Sequence, residues 1–244
     1  MRITRTPRTA PTTRRTLLRA SAATAAAGVL AAGSSPVGAA PRTRSATAAR
    51  PTTPAAALKE LAAGNRRWRT LHQRHPHEAA GVRGALVSGQ SPFALILGCI
   101  DSRVPPELVF DQGLGDLMTV RSAGEVLDEA VLGSIAYGVL ELGIPLVVVL
   151  GHQSCGAVAA AVHAEETGES LPAHIQYVAD QIRPAIVHGQ HGDAKVDATV
   201  SAQVRLVRSR LAREADLAAK VAAGELAIVG ARYELSTQLV HRVA

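Results

Sequence analysis

The sequence is poor in cysteine and in aromatic side chains. Its 244 residues include two cysteines and one tryptophan, and aromatic residues make up 2% of the chain. Proteins that bind single-stranded nucleic acids stack the bases on aromatic rings, and this chain has few rings to offer. Two cysteines can form one disulfide, but they can also share a metal ion, so their number alone does not decide between these uses.

Acidic residues are missing from the first fifth of the chain. Residues 1–50 contain nine arginines and no Asp or Glu, which leaves 17 Lys and Arg against all 20 Asp and Glu in residues 51–244. The pI near 10 therefore reflects the N-terminal segment, and the rest of the chain has a net charge of about −3. A basic surface is the usual sign of phosphate binding, so the sequence predicts no nucleic-acid partner for this part.

The N-terminal segment has the layout of a secretory signal. Arg14 and Arg15 precede an apolar, alanine-rich stretch over residues 20–32, and the small residues 37–39 follow as a cleavage site. The paired arginines are similar to a twin-arginine signal, which directs export of a folded protein. The alternatives are a basic disordered tail or a membrane anchor. The apolar stretch is shorter than the ~20 residues that a spanning helix needs.

These features divide the chain into three parts. We predict a twin-arginine signal peptide at residues 1–39, a disordered linker at 40–53 and one folded domain at 54–244. The mature protein is then expected outside the cytoplasm, exported or secreted, with no stable membrane span after signal cleavage.

The folded domain alternates apolar strands with amphipathic helices. Uninterrupted apolar runs are typical of strands buried on both faces of a parallel sheet. Strands are predicted at 92–99, 117–121, 145–150 and 225–233, and helices at 54–71, 128–142, 157–166, 172–188 and 196–222. This order predicts an α/β fold with a mostly parallel central sheet of about four to five strands, flanked by helices. In such folds ligands bind at the C-terminal ends of the strands.

Two polar motifs follow two of these strands. They are Cys99-Ile100-Asp101-Ser102-Arg103 and Gly151-His152-Gln153-Ser154-Cys155-Gly156, and they contain both cysteines. Zinc in catalytic sites takes three protein ligands, thiolate or imidazole among them, and keeps a fourth position open, so Cys99, His152 and Cys155 are candidate ligands. A disulfide between the cysteines, or two buried cysteines with no further role, would also explain the pattern.

The same motifs resemble the beta-class carbonic anhydrases, and the similarity extends over residues 55–235. The resemblance implies one Zn²⁺ per chain, held by Cys99, His152 and Cys155, with Asp101 and Arg103 as a catalytic dyad. It also implies that Gln90, Tyr137 and Gly156 line the substrate cleft, with Gln90 approaching from a neighbouring subunit. A homodimer or a higher homo-oligomer is therefore expected.

The activity implied by the resemblance is reversible hydration of CO2 to bicarbonate and a proton, by attack of zinc-bound hydroxide on CO2. Two alternatives stay open at this point. One is a related zinc hydrolase of carbon disulfide or carbonyl sulfide, and the other is an exported zinc-binding or redox protein that is not an enzyme. In the branch of the family whose aspartate closes the zinc site, a tryptophan stands three residues before the first cysteine. Ile96 occupies that position here, so we expect an open site.

Overall fold

The structure, a computed structural model, describes residues 50–244. The predicted signal peptide and most of the predicted linker lie outside the described residues. The helices are α1 (Pro54–Arg69), α2 (Ala80–Ala85), α3 (Pro106–Val109), α4 (Glu129–Leu140), α5 (Gly156–Thr167), α6 (Ala173–Ile182), α7 (Gly192–Leu211) and α8 (Ala215–Ala222). The strands are β1 (Ala94–Gly98), β2 (Leu117–Arg121), β3 (Leu146–His152), β4 (Ala227–Tyr233) and β5 (Val240–Val243). Within the described residues, every helix is too short or too polar to cross a membrane.

The five strands form one sheet in the order β2-β1-β3-β4-β5. The first four strands pair in parallel, and β5 runs antiparallel to β4. The predicted fold class, a mostly parallel sheet of four to five strands flanked by helices, is confirmed. β1 and β3 lie in the interior of the sheet, and every residue of both strands is buried. The absence of polar alternation in these strands follows from this burial on both faces.

Helices cover both faces of the sheet. On one face, Leu61 of α1 and Val109 of α3 pack with Ile96 and Val148 of the central strands. The opposite face is covered mainly by α4, α7 and α8, which contribute Ile135, Val204 and Leu217 among others. The central strands lie between these two hydrophobic layers, and the C-terminal ends of the strands carry the two polar motifs.

Two helix ends that the sequence predicted have the expected chemistry. The Asp128 side chain accepts a hydrogen bond from the Val131 amide at 2.8 Å and so caps α4. Gly168 ends α5 with a φ of 70°, a left-handed conformation that glycine adopts without a steric penalty.

The C-terminal part differs from the prediction in three places. The helix predicted over residues 172–188 is α6, which ends at Ile182, because Pro184 has no backbone N–H to continue it. The single helix predicted over residues 196–222 is two helices, α7 and α8, although the residues at the break favour helix. Leu211 and Leu217 are both buried but would point about 120° apart on one continuous helix, so the break lets both enter the core. Strand β5 has four residues, of which two are exposed, and this pattern is too short to be recognised as a strand.

Candidate active site at the ends of strands β1 and β3

Two neighbouring parallel strands bring Cys99 and His152 to the same edge of the sheet. Gly98, the last residue of β1, pairs with Leu150 of β3. Cys99 follows β1 directly, and His152 is the last residue of β3. Both residues are buried, with 5% and 0% of their surface exposed. The fifty-residue separation in sequence is therefore closed by strand pairing, as predicted.

Cys155 reaches the same place through a tight turn. Ser154 in this turn has a φ of 54°, and Cys155 is the N-cap residue of α5. The Cys155 residue is buried, with 1% of its surface exposed. The partial positive charge at a helix N-terminus favours a thiolate, which is the form of cysteine that binds metal.

The three side chains form a group that can hold one metal ion. Their candidate ligand atoms all lie within 4.8 Å of one another, and within residues 50–244 this is the one such group of His, Cys and acidic residues. The two sulfur atoms are 3.9 Å apart, and both cysteines are free. A disulfide would hold the sulfurs about 2.05 Å apart. Two sulfurs on a tetrahedral zinc ion would be separated by about 3.8 Å, because each Zn–S bond is about 2.3 Å long.

The orientation of His152 also fits a metal ligand. Its Nδ1 lies 2.9 Å from the carbonyl oxygen of Gln153, so the Nδ1–H donates there and Nε2 carries the free lone pair. Nε2 is buried and has no hydrogen-bond partner among the described residues. A buried imidazole nitrogen without a partner is costly unless a ligand occupies it. The donor set of two thiolates and one imidazole is therefore suited to zinc.

Local hydrogen bonds favour the thiolate form of Cys99. The Cys155 thiol beside it lowers the pKa of Cys99 to about 4, against the opposing effect of burial, and the Gly124 amide also lowers it. The Gly124 amide nitrogen lies 3.4 Å from the Cys99 Sγ. In the absence of metal, hydrogen bonding to Cys99 and then burial raise the pKa of Cys155.

Asp101 and Arg103 form a bidentate ion pair beside the three candidate ligands. Arg103 Nε donates to Oδ1 at 2.9 Å and Nη2 donates to Oδ2 at 2.7 Å. The Arg103 backbone amide donates to Oδ1 as well. These bonds, above all the one from the guanidinium, lower the pKa of Asp101 to about 2. The carboxylate Oδ2 is 3.8 Å from His152 Nε2, so an ionised acceptor faces the space between the ligands.

Arg121 braces the loop that carries Cys99 and Asp101. Its guanidinium donates to the carbonyl oxygens of Cys99 at 2.8 Å, Asp101 at 2.7 Å and Val104 at 3.4 Å. Arg121 ends the neighbouring strand β2, and the sequence predicted no role for it. Its partners are main-chain carbonyls, which every residue carries, so spacing in the sequence could not identify them.

Two buried polar residues behind the cysteines were also missed. Gln203 of α7 donates from Nε2 to the carbonyl oxygen of Gly124 at 3.0 Å. Glu125 is 1% exposed, and burial, followed by the charge of Cys99, raises the pKa of its carboxyl group well above its usual value. A glutamate inside an apolar stretch was the one available signal in the sequence, because such residues are seldom buried without a partner.

A pocket of about 420 Å³ opens beside Cys99 and Asp101. Gly156, for which the resemblance implies a place in the substrate cleft, is among the residues that line this pocket. The remaining walls are mostly apolar, apart from His174 at the start of α6, and consist of Ile100, Ala123, Ala157, Ala160, Ile175, Val178 and Ala179. A small apolar molecule can therefore approach the candidate ligands without competing for hydrogen bonds.

Gln90 and Tyr137 do not line this pocket within one chain. Gln90 lies in a surface groove with Leu86 and Leu114. Tyr137 of α4 is 52% exposed and lines a separate groove along β2. Their predicted roles involve a cleft shared between subunits, so these roles stay predictions.

Comparison with known proteins identifies the family. A sequence model described as carbonic anhydrase matches residues 94–240, more than half of the chain. The chain is 44% identical over 186 residues to carbonic anhydrase 2 of Mycobacterium tuberculosis, covering 75% of this chain and 90% of the relative. It is 43% identical over 185 residues to a carbonic anhydrase of Mycolicibacterium smegmatis, with the same coverage. These relatives do not favour either of the two alternative functions.

Solved structures give the same result. A beta-carbonic anhydrase from Coccomyxa, in complex with acetazolamide, superposes with a TM-score of 0.61 and 25% identity, covering 76% of this chain and 86% of that one. A beta-carbonic anhydrase of Aspergillus fumigatus gives a TM-score of 0.61 and 25% identity, covering 77% and 89%. The chain therefore belongs to the beta-carbonic anhydrase family, and it is a zinc-dependent enzyme of carbon dioxide hydration.

Proposed function

We propose that Cys99, His152 and Cys155 hold the catalytic zinc and that Asp101 and Arg103 form the dyad that orients the nucleophile. The observation that carries this proposal is the convergence of three buried ligand atoms within 4.8 Å, with an ionised carboxylate 3.8 Å from His152 Nε2. The reaction is CO2 + H2O ⇌ HCO3⁻ + H⁺.

The protein orients the nucleophile and provides an apolar pocket beside the metal site. When bound, zinc lowers the pKa of a coordinated water towards ~7 and so provides hydroxide as a nucleophile for CO2. Asp101 accepts a hydrogen bond from the nucleophile and thereby turns a lone pair towards the carbon of CO2. Arg103 keeps Asp101 ionised through a charge-assisted, bidentate pair. The apolar walls around Ala123, Ala157 and Val178 accommodate CO2 itself.

We further propose that the zinc site is open in the resting enzyme. Both carboxylate oxygens of Asp101 are engaged by Arg103, and releasing them towards the metal would break two charge-assisted hydrogen bonds. The presence of Ile96 in place of the tryptophan of the self-closing branch supports the same state.

The active assembly is proposed to be a homodimer or a higher homo-oligomer. Gln90 and Tyr137 lie in grooves away from the zinc pocket of their own chain, and Val87 next to Gln90's loop is 88% exposed. A partner covering these grooves would bury that apolar surface and could bring Gln90 to the cleft. The fold itself occurs in tetrameric beta-carbonic anhydrases of Sordaria macrospora. Analytical ultracentrifugation of the wild type and of Val87→Asp tests the proposal, which predicts that the substitution shifts the protein towards monomer.

We also propose export through the twin-arginine route. The support is the Arg14-Arg15 pair, the short apolar stretch and the small residues 37–39. Export of a folded protein would let zinc be loaded before the thiols meet an oxidising compartment. Fusing residues 1–45 to a reporter and replacing both arginines by lysine tests the route, since a twin-arginine signal should lose export with the replacement.

Zinc analysis and stopped-flow kinetics on residues 40–244 test the catalytic proposal directly. We expect one zinc per chain and CO2 hydration that a chelator abolishes and added zinc restores. Parallel assays with carbon disulfide and carbonyl sulfide should give little or no turnover. A zinc-loaded protein without CO2 hydration would contradict the proposal, and Cys155→Ser should lose both metal and activity.

A further inference from the structure

The sulfur of Cys99 is contacted by a backbone amide with an unusual conformation. Gly124 donates its N–H to Cys99 Sγ at 3.4 Å. Its φ is 64°, and a Cβ at this position would lie 2.7 Å from Cδ1 of Ile182. The direction of this amide therefore depends on a left-handed turn that glycine alone adopts without strain. Residue 124 belongs to no long helix or strand, so other contacts must hold the turn in place.

Gln203 supplies such a contact from the opposite side of the turn. Its Nε2 donates to the Gly124 carbonyl at 3.0 Å, across 79 positions in sequence, and Gln203 is 1% exposed. Helix α7 comes this close to the site because β3 has no side chain at Gly151. A Cβ at Gly151 would lie 2.6 Å from Cγ2 of Val204, the neighbour of Gln203.

The burial of Gln203 carries a cost that packing does not explain. Its Oε1 is buried and has no hydrogen-bond partner within residues 50–244. A buried amide with one unsatisfied end destabilises a fold relative to an apolar side chain of similar size. A glutamine at this position is therefore explained by the bond that its other end makes to Gly124.

We propose that Gln203 is a positioning residue of the zinc centre, which holds Gly124 so that its N–H stays on the Cys99 thiolate. A hydrogen bond to a ligating sulfur reduces the electron density that the sulfur gives to the metal. Outer contacts of this kind orient metal ligands and tune the metal. Gln203 acts through Gly124, which accepts the one hydrogen bond that the Gln203 side chain makes within the described residues.

Gln203→Met removes the amide while keeping an unbranched side chain of similar length. Gln112→Met is the control, because Gln112 is also buried and its Nε2 donates to the backbone carbonyl of Phe110 at 3.0 Å, with a longer contact to Glu60 Oε1 at 3.4 Å. Neither of these partners is one of the three candidate zinc ligands. Each variant loses a buried amide–carbonyl bond, and Gln112→Met also loses the contact to Glu60, so a general loss of stability should be at least as large in the control.

Two measurements on the metal centre distinguish a positioning role from simple packing. Zinc affinity, measured by competition with a chromophoric chelator, should fall about tenfold or more in Gln203→Met and stay unchanged in Gln112→Met, because the loss of ligand positioning outweighs the gain in electron donation by the sulfur. In protein loaded with Co²⁺, the sulfur-to-cobalt charge-transfer band should shift to longer wavelength in Gln203→Met, because a sulfur without its hydrogen bond is easier to oxidise.

Unchanged zinc affinity and an unchanged cobalt band in folded Gln203→Met would overturn the proposal, as would equal changes in Gln112→Met. If Gln203→Met does not fold, Gln203→Asn serves the same comparison, since its amide is one methylene too short to reach Gly124 while the site stays polar. This test compares the zinc affinity and the cobalt band of two variants, whereas the proposed function is tested by CO2 hydration in the wild type. A negative result would therefore overturn the role of Gln203 without affecting the proposed function.

Discussion

Asp101→Asn should lower kcat/KM for CO2 hydration while leaving zinc in place. Asparagine has nearly the shape of aspartate, but it carries no charge to pair with Arg103, and one of its two terminal groups is a donor. Asp101 is not one of the three candidate ligands, and its Oδ2 is 3.8 Å from His152 Nε2. The substitution therefore removes the acceptor that we propose for the nucleophile and leaves the three candidate metal ligands in place.

The size of the effect follows from the bond that is lost. A hydrogen bond to a charged group contributes about 1.5 to 3 kcal/mol, which corresponds to about a ten- to 150-fold change in rate. The Arg103 pair holds the pKa of Asp101 at about 2, so the wild-type carboxylate is ionised throughout the pH range of the assay. We therefore expect the loss to be equally large from pH 6 to pH 9.

The assay is stopped-flow CO2 hydration normalised to zinc per chain. Glu225→Gln is a suitable control, because it removes an exposed ion pair with Lys220, 2.7 Å long, near the start of β4 and away from the catalytic edge of the sheet. The control should retain wild-type turnover. Wild-type kcat/KM in fully zinc-loaded Asp101→Asn would refute the dyad and reduce the Asp101–Arg103 pair to an ordinary salt bridge.

Three further predictions follow from the same geometry. Turnover should rise above neutral pH, because two thiolates cancel the charge of zinc and leave its bound water less acidic than a site of three imidazoles would, and a rate that is flat from pH 6 to 9 would contradict this. Arg121→Met should lower kcat/KM about tenfold, since three carbonyl contacts of the catalytic loop are lost, whereas Arg69→Met on the surface of α1 should not. Glu125→Gln should stabilise the fold increasingly as the pH rises. Burial raises the pKa of Glu125 in the folded protein, so the contribution of this residue to the free energy of unfolding is fully present below the unfolded pKa near 4.5 and is lost as the pH rises. Urea unfolding of the wild type and of Glu125→Gln at pH 5 and pH 8 measures this loss.

The parts of the fold that could be predicted are those in which burial dictates residue type over several consecutive positions. β1 and β3 are buried along their whole length, so their apolar runs predicted both the strands and the parallel sheet. The break between α7 and α8 could not be predicted, because Ala212, Arg213 and Glu214 all favour helix. It is set by the need to bury both Leu211 and Leu217, and that need is known only once α7 lies on the sheet.

The candidate site also contains residues that could be predicted from the sequence and residues that could not. Few types of side chain bind zinc, and Cys99, His152 and Cys155 lie at or just after the ends of strands that the apolar runs predicted. The sequence therefore indicated both the candidate ligands and the edge of the sheet where they lie. Arg121 and Gln203 act through hydrogen bonds to main-chain carbonyls, and such partners have no residue type to recognise. The sequence thus specifies the candidate zinc ligands, whereas the contacts that orient them are fixed by the packing of β2 and α7. For this reason, substitutions at Arg121 and Gln203 are the sharpest test of whether the surrounding fold, beyond the ligands, determines the properties of the zinc centre.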